Sequence, residues 1–236
     1  MLSIIIPTYN EKKNLEELAK RIFNALKPHY IQYELIIVDD NSPDGTAEYA
    51  ESLKSKYDIR VIRRPHKISL ASAAINGFKA ATGDIYCVMD ADLSHPPDAL
   101  YDMYKKIENE GYDLVVGSRL VKGGGAKRWP WYRRIVSIVA QSLARPLTTV
   151  RDNTSGFFML KKRVVDNAEL NPIGFKILLE ILAKGNYEKV MEYPIVFADR
   201  EGGKSKLRTR QIFEYLKQLS MIYSMAIVKR IKRRGR

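Results

Sequence analysis

The sequence contains a single cysteine, Cys87, among 236 residues, and this residue lies inside an apolar run. One thiol cannot form a disulfide within the chain, so we interpret Cys87 as a small core residue of a protein from a reducing compartment. Only three histidines are present, and none belongs to a pattern typical of a Ser-His-Asp or Cys-His catalytic set. The scarcity of both residue types argues against a disulfide scaffold and against nucleophilic catalysis of that kind.

The glycine-rich motifs of two common nucleotide sites are also missing. The loop after the first predicted strand reads P-T-Y-N-E at residues 7–11 and contains no glycine. A Rossmann dinucleotide site would have G-x-G-x-x-G at this place, and the chain contains no P-loop either. A hydride-transfer enzyme is therefore disfavoured. If the chain binds a nucleotide diphosphate, we expect a metal ion and loops to hold it rather than a glycine-rich helix start.

No apolar run is long enough to cross a bilayer. In the last predicted helix, about residues 209–230, the uninterrupted apolar-to-neutral run from Leu219 to Val228 has ten residues, whereas a span needs about 20. The N-terminus enters an apolar strand without a basic leader, so we expect no signal peptide. Aromatic residues followed by the basic cluster 229–234 are typical of an interfacial helix beside anionic lipid, and packing of the same helix on the core is an equally good interpretation.

Acidic residues are scarce in two basic segments of a chain with a net charge of +13. Residues 119–134 contain six Lys or Arg and no acid, and residues 200–236 contain twelve Lys or Arg against two Glu. Such clusters predict a polyanionic partner, either nucleic acid, anionic lipid or a phosphorylated substrate. A non-enzymatic nucleic-acid binder would need aromatic residues among the arginines, and residues 229–236 contain none, so we disfavour it.

Apolar segments with the pattern of strands alternate with helical segments through the first half of the chain. Strands are predicted at residues 2–6, 33–38, 59–62 and 113–117 and in the apolar run after Asp84. This alternation predicts an α/β fold with a mostly parallel, Rossmann-like central sheet covered by helices on both faces. The later segments predict a basic glycine-rich loop at 119–130, helices at about 131–145 and 174–184, and strands after residue 155 and at 187–197.

Acidic residues follow several predicted strands directly. Glu11 follows the first strand, Asp39 and Asp40 the second, and Asp90 and Asp92 the fourth. Because the carboxyl ends of parallel strands meet at one edge of a sheet, we expect these residues to converge, apart from Asp40, which we expect to cap the next helix. Asp90 and Asp92 share one face of the strand and are hard oxygen ligands suited to Mg²⁺ or Mn²⁺.

Six motifs together resemble those of family-two glycosyltransferases of the GT-A type. They are P-T-Y-N-E at 7–11, D-D-N-S-P-D-G-T at 39–46, D-A-D-L-S-H-P-P at 90–97, G-S-R at 117–119, S-G-F at 155–157 and D-R-E-G-G-K-S-K-L at 199–207. Within this family the chain resembles the dolichol-phosphate mannose synthases from about residue 2 to residue 220. The resemblance implies a GT-A catalytic domain at residues 1–208, followed by an amphipathic helix and basic tail at 209–236. It also implies a GDP-mannose donor, a divalent cation and a polyprenyl phosphate acceptor.

The resemblance further implies roles for individual residues. Donor binding is implied for Pro7, Tyr9, Glu11, Asp39, Asp90, Arg200 and Lys206, metal binding for Asp90 and Asp92, and binding of the acceptor phosphate for Arg119, Arg133 and Ser137. Asp90, Asp92 and Arg119 are therefore the candidate catalytic residues. The chain departs from the family pattern at Ser94, where Gln is common. Serine has a shorter reach, so we expect a water molecule to complete the metal shell.

The expected reaction is in-line displacement with inversion, which gives a β-linked polyprenyl phosphate mannose. The second pKa of a phosphate monoester is about 6, so the acceptor is largely a dianion at neutral pH and needs little help from a general base. UDP-glucose or another sugar nucleotide is the alternative donor. We expect the protein at the cytoplasmic face of a membrane, held peripherally by the last helix and the basic tail, and leave open whether a membrane partner subunit is also required.

Overall fold

The computed structural model of the chain describes residues 1–66, 69–127, 131–171, 176–198 and 209–234. The first half alternates strands with helices in the order β1 (Leu2–Thr8), α1 (Lys12–Leu26), β2 (Tyr33–Asp39), α2 (Thr46–Ser52), β3 (Ile59–Arg63), α3 (Leu70–Ala80), β4 (Ile85–Val88), α4 (Ala99–Glu108) and β5 (Leu114–Ser118). The predicted α/β alternation is confirmed.

The second half is less regular. Its elements are β6 (Gly125–Ala126), α5 (Trp131–Ala144), β7 (Phe158–Lys161), α6 (Ile177–Lys184), β8 (Val190–Pro194), β9 (Val196–Phe197) and α7 (Thr209–Arg234). The prediction of one strand over residues 187–197 is wrong, because the segment divides after Pro194, which has no amide hydrogen to extend a ladder. β9 pairs with β6, and β6 lies inside the segment 119–130 that was predicted to be a loop.

Among the described residues, one sheet has the strand order β3-β2-β1-β4-β7-β5-β8. Its neighbouring strands are parallel except for β7, which is antiparallel to both β4 and β5, so the mostly parallel sheet is confirmed. An antiparallel strand begins at the edge where its parallel neighbours end, and Phe158 accordingly pairs with Val88 and Val116. The S-G-F segment before β7 is thus brought beside the carboxyl end of β4.

The two faces of the sheet are covered by different helices. Ile4 and Ile6 of β1 face a core formed with α1, α2 and α4, and Ile5 faces the core formed with α3 and α6, as the two-residue period of a strand requires. Each fully buried Ile or Leu contributes about 1.5–3 kcal/mol through removal from water. The close approach of α3 depends on Gly77, since a Cβ there would lie 2.3 Å from Cγ2 of Ile5.

Helices α5 and α7 pack together beside α6. Their shared core contains Ala144, Leu179, Tyr215, Leu219 and Ile222. The hydroxyl of Tyr223 also donates to the carbonyl of Leu143 at 2.7 Å. One face of the last helix therefore packs on the rest of the protein. Phe213, on the same helix, is 79% exposed. No helix within the described ranges is long and apolar enough to cross a membrane.

Candidate active site

The loops that follow β1, β2 and β4 lie at the same edge of the sheet. β1 and β2 run side by side as far as the pair Thr8 and Asp39. Each loop contains one residue other than glycine in the left-handed region, Asn10 (φ 60°), Asn41 (φ 55°) and Leu93 (φ 61°). Asparagine tolerates this conformation, but a leucine there costs about 1–3 kcal/mol, which the surrounding contacts must offset. The loops therefore converge, as the parallel topology requires.

Backbone-to-side-chain hydrogen bonds tie the β1 loop to the β2 loop. The bonds run from Asn10 N to Ser42 Oγ (3.0 Å), from Glu11 N to Thr46 Oγ1 (3.0 Å) and from Lys12 N to Asp44 Oδ2 (3.3 Å). The residues that accept these bonds were not singled out from the sequence. Their short oxygen-bearing side chains in a turn segment are the signal that could have identified them. The two predicted donor-binding loops thus form one connected unit.

The candidate donor residues differ in how accessible they are. Asp39 is buried, and its carboxylate accepts hydrogen bonds from Thr8 Oγ1 (3.0 Å), Ser42 N (2.8 Å) and Ser42 Oγ (2.6 Å). Pro7, Tyr9 and Glu11 are half-buried. Glu11 Oε2 also accepts from Asn14 Nδ2 at 2.8 Å. Asp39 therefore lies beneath the loops as their anchor, whereas Pro7, Tyr9 and Glu11 are partly exposed.

Asp40 does not cap the following helix, so that prediction is wrong. Its carboxylate lies 3.0 Å from Nη1 of Arg64, and both side chains are buried. Asp44 is closer to the start of α2 along the chain, and its Oδ1 accepts from Thr46 N at 3.0 Å. The carboxylate nearest to the helix therefore takes this bond, and Asp40 is left to neutralise a buried arginine.

Asp90 and Asp92 lie in the turn directly after β4. Ser94 donates from both its amide (3.2 Å) and its hydroxyl (2.5 Å) to Oδ1 of Asp92. The amide of Asp90 donates to Nδ1 of His95 at 3.1 Å, and Nε2 of the same ring lies 3.9 Å from Oδ2 of Asp90. Asp92 is buried, while the side chain of Asp90 is 24% exposed. Two neighbouring residues of one turn thus contact different acids: Ser94 contacts Asp92, and His95 contacts Asp90.

His95 is buried between aromatic rings. It stacks on Phe157 with a centroid distance of 5.3 Å and meets the edge of Phe197 at 5.4 Å. Burial lowers the pKa of His95, although the carboxylates of Asp90 and Asp92 act in the opposite direction. Because Nδ1 accepts a hydrogen bond, we assign the proton of the neutral ring to Nε2.

Arg119, at the end of β5, pairs with Asp152 in the loop before β7. Its Nε donates to Oδ2 at 2.8 Å and its Nη2 to Oδ1 at 2.7 Å, and its backbone amide donates to Oδ2 at 2.9 Å. The guanidinium also lies 5.6 Å from the ring centre of Phe197. The sequence around Arg119 contains no nearby acid, and its partner comes from a distant segment through the insertion of β7.

The other candidate acceptor residues, Arg133 and Ser137, are on α5, and the candidate donor residues Arg200 and Lys206 lie beyond the described ranges. Ser137 is half-buried, and its hydroxyl accepts from Gln141 Nε2 at 3.0 Å. The carbonyl of Gln141 in turn accepts from Asn153 Nδ2 at 3.2 Å, and Asn153 directly follows Asp152. Arg133 belongs to α5, but its side chain is outside the described part of the chain, as are residues Arg200 and Lys206. Ser137 is thus connected to Arg119 through the hydrogen bonds of Gln141 and Asn153 and through Asp152, which is the residue before Asn153 and pairs with Arg119.

Residues 3–168 match the model of the family described as Glycosyl transferase family 2. The chain is 52% identical over 222 residues to a dolichol-phosphate mannosyltransferase of Pyrococcus furiosus and 40% identical over 232 residues to one of Saccharomyces cerevisiae. The chain belongs to glycosyltransferase family 2. The matches cover 92% and 94% of this chain, 62% of the Pyrococcus relative and 86% of the yeast relative. Within the family, the chain belongs with the dolichol-phosphate mannosyltransferases.

Solved structures confirm the fold of this family 2 glycosyltransferase. A mannosyltransferase of Pyrobaculum calidifontis, solved with GDP-Man and Mn²⁺, is 16% identical with a TM-score of 0.64, over 96% of this chain and 64% of that one. Glucosyl-3-phosphoglycerate synthase of Mycobacterium tuberculosis is 17% identical with a TM-score of 0.67, over 93% of this chain and 80% of that one. The expected GT-A fold is therefore confirmed.

Asp90 and Asp92 of this family 2 glycosyltransferase suit a divalent cation that takes most of its ligands from substrate and water rather than from the protein. Within the described ranges, no group of three or more His, Cys, Asp or Glu side chains could hold a metal ion. Asp90 and Asp92 offer two carboxylates one residue apart, and a Cβ at Gly156 would lie only 3.3 Å from Oδ2 of Asp90. The missing side chain at Gly156 leaves space beside this carboxylate. Mg²⁺ and Mn²⁺ accept such a site, because substrate phosphates and water supply their remaining ligands.

Proposed function

We propose that the protein transfers mannose from GDP-mannose to a polyprenyl phosphate, dolichyl phosphate by family, and inverts the anomeric centre. The observation that carries the proposal is the Asp90–Asp92 pair at the carboxyl edge of the sheet, in a chain whose relatives are named dolichol-phosphate mannosyltransferases. Those names favour neither UDP-glucose as the donor nor a non-enzymatic nucleic-acid binder. The product is a β-linked dolichyl phosphate mannose.

The tied loops after β1 and β2 are the proposed nucleoside site. Tyr9 offers an aromatic ring that can stack on a base, and Glu11 is a carboxylate that can accept from ribose hydroxyls or a base edge. Asp39 supports this site through its bonds to Thr8 and Ser42, and Pro7 precedes Thr8, the last residue of β1. Arg200 and Lys206 are assigned to the donor diphosphate by their match to the family's motif.

Asp90 and Asp92 would hold the divalent cation, Mg²⁺ or Mn²⁺, together with the donor diphosphate. A bound cation of this kind acts as a Lewis acid that stabilises the charge of the leaving diphosphate. The contribution of the protein is to fix the two carboxylates before the substrate arrives. Ser94 and His95 perform this task through the contacts described above. The mannosyltransferase of Pyrobaculum was solved in complex with GDP-Man and Mn²⁺, which supports the assignment.

Arg119, Arg133 and Ser137 are the proposed binding residues for the acceptor phosphate. The dianionic phosphate is itself the nucleophile, so the site must attract and orient it rather than remove a proton. Arg119 suits this role because Asp152 fixes the plane of its guanidinium at the end of β5. In-line approach of the phosphate oxygen opposite to the leaving diphosphate inverts the anomeric carbon.

An apolar surface on α5 and α7 is the proposed membrane contact at the cytoplasmic face. One side of α5 exposes Trp131, Ile135, Ile138 and Val139, and α7 exposes Phe213 and Leu216. The opposite side of α5 contains Gln141 and Ala144, which are buried, so the helix is amphipathic. Basic residues at 229–234 adjoin this surface in sequence and suit anionic lipid. The surface defined by α5 and α7 extends the contact predicted for the last helix alone.

A donor panel tests the proposed function. Purified protein is incubated with dolichyl phosphate in vesicles, with GDP-mannose, UDP-glucose or GDP-glucose, and with Mg²⁺, Mn²⁺ or EDTA. Lipid-linked sugar is expected from GDP-mannose in the presence of metal, and not with EDTA. The variant Asp92→Ala is expected to lose this activity, while Asp98→Ala at the exposed N-cap of α4 retains it. Preferred transfer from a UDP-sugar, or no transfer from any donor, would overturn the proposal.

A further inference from the structure

One turn contacts both candidate metal ligands through different side chains. Leu93 adopts a left-handed conformation (φ 61°), which turns the chain back toward the end of β4. Ser94 then bonds to Asp92, and His95 contacts Asp90 through the backbone amide and lies beside its carboxylate. These contacts, together with burial of the Leu93 side chain in the core, offset the cost of the leucine conformation. The turn is therefore built around the positions of the two carboxylates.

His95 has little freedom to move within this turn. Its ring is 2% exposed and lies between Phe157 before β7 and Phe197 of β9. The amide of Ala198 donates to the carbonyl of Ser94 at 3.0 Å, which attaches β9 to the same turn. Contacts from two other segments thus fix the ring plane. Both ring nitrogens lie near Asp90: Nδ1 accepts from its amide at 3.1 Å, and Nε2 is 3.9 Å from Oδ2 of its carboxylate.

The contacts of His95 require an imidazole ring in which one nitrogen accepts a hydrogen bond and the other carries the proton. Nδ1 must be unprotonated to accept from the amide of Asp90, so the neutral ring carries its proton on Nε2. Nε2 lies 3.9 Å from Oδ2 of Asp90, which is an electrostatic contact rather than a hydrogen bond, and the partial positive charge of its N–H favours an orientation of the carboxylate toward the ring. Gly156 leaves room on the same side, because a Cβ there would lie 3.3 Å from both His95 Cε1 and Asp90 Oδ2.

We propose that His95 is a positioning residue that orients the carboxylate of Asp90 for a divalent cation, with Phe157 and Phe197 holding its ring in place. The proposal rests on the proposed function, because it assumes that Asp90 and Asp92 hold the cation. In this role His95 acts through Asp90 and would not bind the cation or the sugar itself. Its effect is expected in the affinity for the cation, since partners that orient a metal ligand typically change that affinity by about 10–100-fold.

The test measures Mn²⁺ binding directly, by electron paramagnetic resonance of free Mn²⁺ in the presence of GDP. His95→Phe keeps an aromatic ring and removes both nitrogens, and it is expected to raise the Kd for Mn²⁺ about tenfold or more. His95→Gln can present its amide N–H near the place of Nε2, so it is expected to retain more Mn²⁺ affinity than His95→Phe. His95→Asn presents an acceptor near the place of Nδ1 without reaching the carboxylate, and it is expected to bind Mn²⁺ less tightly than His95→Gln.

Matched controls separate positioning from loss of stability. Ile22→Val shortens a buried side chain of α1, a helix on which no candidate metal ligand lies, and is expected to leave the Kd for Mn²⁺ unchanged. Urea unfolding is measured for every variant, and GDP binding without metal is measured to show that the nucleotide site is intact. A Kd for Mn²⁺ in His95→Phe equal to that of the wild type overturns the inference, and so does a wild type that binds no Mn²⁺. The proposed function fails separately, if the wild type binds Mn²⁺ but transfers no mannose.

Discussion

Asp152 holds the guanidinium of Arg119 in a bidentate pair, with Nε to Oδ2 at 2.8 Å and Nη2 to Oδ1 at 2.7 Å. The side chain of Asp152 is fully buried, and that of Arg119 is largely so. Glu192 Oε1 accepts from the amide of Asp152 at 2.9 Å and from the hydroxyl of Ser118 at 2.7 Å, so the acid is itself held in place. The plane of the candidate phosphate-binding arginine is therefore set by residues of three different segments.

Asp152→Asn is expected to destabilise the protein and to weaken acceptor binding more than donor binding. The change leaves the charge of Arg119 without its buried counterion, and breaking such a pair costs about 3–5 kcal/mol. A guanidinium no longer held by two parallel bonds also loses its fixed orientation toward the acceptor. Urea unfolding measures the stability, and the KM values for dolichyl phosphate and GDP-mannose are compared.

Glu17→Gln is the matched control for this variant. Glu17 pairs with Arg21 on the exposed side of α1, where screening by solvent leaves an ion pair little effect on stability. It should change neither the stability nor either KM appreciably. If Asp152→Asn leaves the acceptor KM at the wild-type value, Asp152 has only a structural role.

Gly156→Ala is expected to lower the affinity for Mn²⁺ with little loss of stability. The new Cβ would lie 3.3 Å from Oδ2 and 3.4 Å from Oδ1 of Asp90, so the carboxylate must shift by a few tenths of an ångström. Gly125→Ala is the control, because nothing lies within 4 Å of its Cβ. The Kd for Mn²⁺ with GDP and the melting temperature are measured for both variants. Equal Mn²⁺ affinities would show that the space beside Asp90 is not needed.

The double variant Ile138→Gln and Val139→Gln is expected to weaken binding to anionic vesicles about tenfold or more. Both residues are exposed on α5, and each loses the transfer free energy of an apolar side chain, about 1.5–3 kcal/mol when fully buried. Sedimentation with phosphatidylserine vesicles measures binding. Tyr30→Gln is the control, since Tyr30 is 94% exposed outside the surface formed by α5 and α7. Unchanged binding of the double variant would exclude α5 from the membrane contact.

Asp113→Asn is expected to reduce stability at neutral pH and not in acid. Burial raises the pKa of Asp113, but hydrogen bonds from the amides of Glu188 and Lys189 and the charge of Arg163 outweigh it, so its pKa is lowered. A carboxyl with a lowered pKa stabilises the fold above its ordinary pKa of about 3.9, and this contribution is lost as the pH falls through the folded-state value.

The expected difference between wild type and Asp113→Asn is about 1.5–3 kcal/mol at neutral pH, the range for a hydrogen bond to a charged group. Urea unfolding at a series of pH values from about 7 down to about 2 measures it. The difference should shrink through the acid range. A difference that stays constant over this range would assign the effect to packing rather than to the charge of Asp113.

The strand ends and their acids could be predicted from the sequence because the signal is local. Each apolar run is followed directly by its polar residues, so the site at the ends of β1, β2 and β4 follows from the period of the pattern and from parallel topology. The glycine-free loop after β1 and the absence of a P-loop also argue against a Rossmann dinucleotide site and a P-loop site without any knowledge of the fold. The α/β class and the position of Asp90 and Asp92 depend on no distant contact.

The partners of these residues could not be predicted, because they come from segments far away in the chain. Arg119 has no acid near it in sequence, and Asp152 reaches it only because β7 is inserted antiparallel between β4 and β5. Likewise the aromatic neighbours of His95 come from the start of β7 and from β9. A histidine followed by two prolines gives no local indication that its ring lies against Asp90 and accepts a hydrogen bond from the Asp90 amide.

The anomeric configuration of the lipid product is the sharpest test of inverting mannosyl transfer by this protein. The wild-type protein is incubated with GDP-α-mannose, dolichyl phosphate in vesicles and Mn²⁺, and the purified lipid is analysed by mass spectrometry and by NMR of the anomeric carbon. We expect dolichyl phosphate mannose with a β linkage, formed by the wild type and absent with Asp92→Ala. A lipid product with an α linkage, or no mannosylated lipid at all, would show that the proposed reaction is wrong.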